Sequence, residues 1–205
     1  MTVKNTTGKA GKITSHKVDT SDVEEITYCE ADIALRLSAA TMKAESMQPY
    51  LAMALYAMPR VAVPGLGTFA SDAKWRFYYD PACVMKWNVD EIAGAILHEV
   101  GHCVRGHADR FASMNEPSHL ARIYNIAGDV LINGDLRADN ITLPQGCVYV
   151  ETLQTEGVDV SSDMSAEQVY RKIIEKMEEM CTCGKGGKGD DDPRNSDDEQ
   201  GDSSS

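Results

Sequence analysis

The stretch His98-Glu99-Val100-Gly101-His102 sets two imidazoles four positions apart, with a carboxylate directly after the first. On an α-helix four residues advance about 400°, so the two rings project about 40° apart, one turn above the other, and both reach a single ion. Glu99 is turned about 100° from His98, which puts its carboxylate beside the ion, in reach of the proton of an attacking water. The alternative is a chance spacing on a solvated helix face. Three of the chain's five histidines fall between 98 and 107, and the residues leading in, Ile92-Ala93-Gly94-Ala95-Ile96-Leu97, are apolar. Burying a charged Glu99 and two histidines without an ion would be costly, so a metal explains the pattern better. Zn²⁺ is the expected cofactor. A water-activating zinc takes three protein ligands and keeps a fourth position open.

His98 and His102 supply two ligands, and two residues compete for the third. His107 lies five residues past His102, about 140° round an ideal helix, and reaches the ion only if Gly106 breaks the helix and turns the chain back. Asp129 belongs to Asn125-Ile126-Ala127-Gly128-Asp129-Val130-Leu131-Ile132-Asn133, where Asn125, Asp129 and Asn133 align at i, i+4 and i+8 on an otherwise apolar helix. Ala127 and Gly128 are small enough to let this helix lie close to the first. Asp129 is therefore preferred, with His107 as the alternative. Asp129 could instead orient a ligand histidine through its other ring nitrogen.

Helices must hold these residues. Asn88, followed three residues later by Glu91, marks a capped N-terminus for the helix carrying 98–102. A further helix opens near Asn115 or Ser118, around Pro117, and runs to about Arg137. The last is capped by Ser165-Ala166-Glu167-Gln168 and runs to about Met180. Upstream, apolar positions including Val23 and Ile26 predict a first helix over 22–44, and Pro49 opens a second that Pro59 stops. Residues 61–63 and 75–79 read as short strands around the turn Pro64-Gly65-Leu66-Gly67.

The 205 residues suit one domain with tails. Residues 1–20 read as a flexible basic segment, 21–180 as the folded domain, and 181–205 as a disordered acidic tail. The net charge of −12 argues against nucleic acid. Of the twelve excess negative charges four lie in residues 184–205, which hold seven acidic and three basic side chains, so the tail is a candidate segment for a protein partner. No apolar run is long enough to span a bilayer, the N-terminus lacks the apolar stretch of a secretory signal, and six cysteines without framework spacing fit reduced thiols in a cytoplasm. Cys181-Thr182-Cys183 alone is a weak metal motif.

The chain resembles a metallopeptidase domain of bacterial and phage proteins, often set ahead of a von Willebrand factor A domain. The likeness runs from Thr68-Phe69-Ala70-Ser71-Asp72 and Phe77-Tyr78-Tyr79-Asp80-Pro81 through His98–His107 and Asn125–Asn133 to Leu143-Pro144-Gln145-Gly146 and Ser165-Ala166-Glu167-Gln168-Val169-Tyr170. The resemblance implies a mostly helical α+β, zincin-like fold with a small β-sheet beside the 98–102 helix, and a peptidase activity on a peptide or protein substrate. No von Willebrand domain follows the tail in this sequence, so a target would be found another way.

As a peptidase, the chain would use Glu99 as general base and His107, His119 or Tyr124 as oxyanion donor, with 75–79 either an edge strand for an extended peptide or an ordinary core strand. The rival is a noncatalytic module in which zinc only staples two helices, closed by His98, His102, His107 and Asp129. A regulator with a degenerate site is disfavoured by Glu99, which a structural zinc does not need.

Overall fold

The structure, a computed structural model, describes residues 29–183. The 1–20 segment, Val23 and Ile26, and the chain beyond 183 lie outside the described residues. Helix α1, Glu30–Met47, begins directly after an extended Cys29 and buries Ile33, Leu37, Ala40, Thr41 and Ala44, a stripe recurring every three or four residues. A single 3-10 turn at Pro49–Leu51 leads into α2, Ala52–Ala57, which ends before Pro59 as expected.

Three short strands follow: β1 Arg60–Ala62, β2 Phe69–Ser71 and β3 Phe77–Tyr79. They form a sheet of order β1-β3-β2, with β1 parallel and β2 antiparallel to β3. Two expectations change here. The strand expected at 75–79 starts only at Phe77, because Trp75 is taken up by the turn: its amide donates to the Asp72 carbonyl and its φ is +59°. That strand is also central, which matches the core-strand alternative and not the edge-strand one. The edge beside the metal-motif helix is β2, which sequence periodicity does not announce in three residues. Phe69 of β2 fixes this arrangement by meeting Phe77 and Trp87 edge-on, at centroid distances of 5.1 and 4.9 Å.

Asp80 ends β3 and also caps a helix the sequence did not suggest, α3 Pro81–Lys86, by accepting from the Ala82 amide. Helix α4, Val89–Val104, opens with the expected reciprocal pair: the Asn88 side chain accepts from the Glu91 amide and the Glu91 carboxylate from the Asn88 amide. Two more short helices, α5 His107–Ser113 and α7 Val150–Thr155, were likewise not foreseen. Between them a 3-10 turn at Ser118–Leu120 runs into α6, Ala121–Ala138. The last helix, α8 Ala166–Cys183, continues three residues beyond the expected Met180.

The result is a mostly helical α+β fold with two apolar clusters. One joins α1, α2, the sheet, α3 and the buried face of α4; the other joins Tyr124, Ala127 and Val130 of α6 to α7 and α8. Ile132 and Leu136 carry α6 into the first cluster as well. Gly101 allows the approach, since a Cβ there would lie 3.2 Å from Ile132 Cγ2. The polar faces of α4 and α6 meet along this seam.

Candidate metal centre

His98, His102 and Asp129 converge on the seam. The Nε2 atoms of the two histidines are 3.0 Å apart, and Asp129 Oδ1 lies 3.4 Å from the first and 2.9 Å from the second. A tetrahedral ion with bonds of about 2.0–2.1 Å needs its N and O ligand atoms about 3.3 Å from one another. The three atoms fit that spacing, and they are the one such group of His, Cys, Asp and Glu among the described residues. Burial would raise the Asp129 carboxyl, but the hydrogen bonds of His102 and His98 outweigh it and hold it at about 2, so the aspartate is ionised.

Each histidine is gripped at its far nitrogen. Asn133 donates through Nδ2 to the Val148 carbonyl at 2.8 Å, and its Oδ1 lies 2.8 Å from His98 Nδ1. A carbonyl oxygen can only accept, so the amide's orientation is fixed and its Oδ1 faces a proton on His98 Nδ1. His98 Nε2 is thereby the nitrogen that faces Asp129 Oδ1 and His102 Nε2, at 3.4 and 3.0 Å. The stripe on α6 is thus used whole: Asn133 meets His98, Asp129 meets both histidines, and Asn125 reaches Asp129 Oδ2 at 3.3 Å.

Gly106 does break the helix, with φ +61°, and α5 starts at His107. The turn carries His107 to the far side of His102, where its Nδ1 lies 3.0 Å from His102 Nδ1 and not among the converging atoms. A closed four-ligand site needs His107 on the other side. Burial, together with the charges of His102, Arg105 and Arg110, pulls the His107 pKa down to about 4.

Glu99 stands beside this group. It is only 8% exposed, and its Oε2 accepts from the Ser71 hydroxyl at 2.8 Å, so the end of β2 orients it. The cleft over these residues has a volume of about 850 Å³, with β2 on one side, Leu143–Val148 on another and the first turns of α6 on a third. Of the three expected oxyanion donors, His107 and Tyr124 line the cleft, but His107 is only 6% exposed with its Nδ1 turned to His102 and Tyr124 spends its hydroxyl on Glu167 at 2.8 Å, while His119 does not line it. Sequence reasoning missed Ser71, whose role depends on a strand too short to read. It also missed Cys147, a cleft residue whose thiol is pushed up by burial and then by the Asp129 charge. Asn133 was legible only as part of a stripe.

A model of the family described as "Putative metallopeptidase domain" matches residues 33–205. The chain belongs to that family. No curated protein and no solved structure matches the chain. Family membership implies a metal cofactor, and the His98, His102 and Asp129 group is where these residues could hold it. No helix among the described residues is long and apolar enough to cross a membrane.

Proposed function

We propose that this metallopeptidase domain is a zinc-dependent peptidase, with His98, His102 and Asp129 holding the ion and Glu99 acting as general base. The observation that supports it best is the pairing of three converging ligand atoms with a buried carboxylate, Glu99, that is not one of them. A metal that merely staples α4 to α6 has no use for that carboxylate. Bound here, zinc would polarise the scissile carbonyl and acidify a water molecule. Glu99 takes the water proton and later passes it to the leaving amine. The Ser71 hydroxyl holds one Glu99 oxygen, and Glu99 lines the cleft. Asn133 keeps His98 in the tautomer that presents Nε2.

The substrate on this reading is an extended peptide. Strand β2 pairs with β3 on one edge only, and Phe69, Ala70 and Ser71 line the cleft, so its other edge is placed to add a peptide strand. The substrate strand is then β2, in place of 75–79. Glu99→Gln tests the reading: the variant keeps size and hydrogen bonding but loses the basic oxygen, a contribution of about a hundredfold to ten-thousandfold. Zinc-loaded Glu99→Gln is expected to keep its metal while losing hydrolysis of an unstructured protein by that factor. Equal cleavage by the variant, or none by the wild type across a broad peptide library, returns the chain to the zinc-stapled module.

A further inference from the structure

We propose that His107 is a positioning residue that holds the proton of His102 on Nδ1 and so keeps the His102 Nε2 lone pair for the metal ion. The proposal rests on the metal-centre reading above. A ligand histidine commonly gives its second N–H to a carboxylate, a backbone carbonyl or water, and losing that partner costs metal affinity. His98 has such a partner in the Asn133 amide. For His102 the group at that position is another imidazole, His107, with Nδ1 facing Nδ1 at 3.0 Å. With its own proton on Nε2, His107 offers Nδ1 as the acceptor that His102 Nδ1–H needs.

The fold builds a seat for this ring. Gly106, with φ +61°, turns the chain so that the first residue of α5 points back at α4. On α6 the residue next to ligand Asp129 is Gly128, and a Cβ there would lie 2.6 Å from His107 Nδ1 and 2.7 Å from its Cε1. One turn of α6 therefore supplies Asp129 on one side of His102 and the gap that admits His107 on the other. Tyr124 closes the seat edge-on at a centroid distance of 6.0 Å, leaving His107 6% exposed. A buried polar ring without a partner is costly, and His102 is the partner this geometry provides.

The test uses the full chain with ¹⁵N-labelled histidine, loaded with zinc alone, read by NMR and by competition with a chelator. Wild-type protein is expected to show the His102 proton on Nδ1, slow to exchange with water. His107→Leu is expected to lose that slow exchange and to bind zinc about 10 to 100 times more weakly. His107→Gln, whose side-chain oxygen can accept, is expected to recover most of both. A wild-type chain that takes up no zinc overturns the metal-centre reading. Zinc uptake with a His102 Nδ1 proton that exchanges freely with water in the wild type overturns this proposal alone, whether or not the variants fold. So does a His107→Leu chain that holds zinc as tightly as wild type, or a His107→Gln chain as weak as His107→Leu with the His102 proton still protected.

Discussion

A Cβ on Gly94 would sit 2.0 Å from the carbonyl oxygen of Thr142. Helix α4 and the segment after α6 therefore touch backbone to backbone, four residues before His98. The same segment continues into Leu143–Val148, the cleft wall whose Val148 carbonyl fixes Asn133. Replacing Gly94 with Ala improves helix propensity by about 1 kcal/mol. The overlap is with backbone, which no side-chain rotation relieves, and overpacking of this kind costs about 1–3 kcal/mol. Gly94→Ala is thus expected to lower the urea midpoint and, by shifting the wall behind Asn133, to weaken zinc binding. A variant more stable than wild type would show that the two backbones do not meet in this way.

Zinc content checks the ligand assignment. Purified protein is expected to hold close to one zinc per chain after dialysis, measured by elemental analysis, and a His98→Ala, His102→Ala double variant to hold none. Asp129→Ala should give up zinc to a chelator at a much lower concentration than His107→Ala, because only the aspartate oxygen lies among the converging atoms. The reverse ranking would move His107 into the ligand set.

Glu167 sets a pH window for stability. Burial would raise its carboxyl, but hydrogen bonds from Arg110, its own backbone, Tyr124 and Ser165 outweigh this and hold it at about 2. Its folded pKa is below the unfolded value of about 4.3, so the unfolded chain binds the proton more readily between these limits. The contribution is full above about pH 5 and is lost as pH falls toward 2. Arg110 donates to Glu167 through Nε and Nη2, at 2.7 and 2.5 Å, tying α5 to α8. Glu167→Gln is expected to cost about 1 kcal/mol at pH 7 and progressively less as the pH drops from 4.5 to 2, measured by urea unfolding. A loss independent of pH would mean the charge is not what matters.

Much of the centre was legible because it obeys local periodicity. The four-residue spacing of His98 and His102, the Asn88–Glu91 cap and the 125, 129, 133 stripe each follow from the geometry of one helix, which the sequence states directly. The position of Asp129 beside the two histidines needed that the two helices pack, which Gly101 allows against Ile132, whereas Ala127 packs toward α7 and α8 and Gly128 makes room for His107.

Other features came from contacts between residues far apart in the chain. The strands are three residues each, too short for alternation to show, and which one is the edge is decided by Phe69 meeting Phe77 and Trp87. Helices α3, α5 and α7, of six or seven residues, are too short to stand alone and form where tertiary packing holds them. Sequence determined that His98 and His102 share one helix face with Glu99 turned beside them, and that His107 follows a glycine able to turn the chain. Only the tertiary structure decided that the turn carries His107 behind His102, because that outcome depends on Gly128, a residue of another helix, leaving room for the ring.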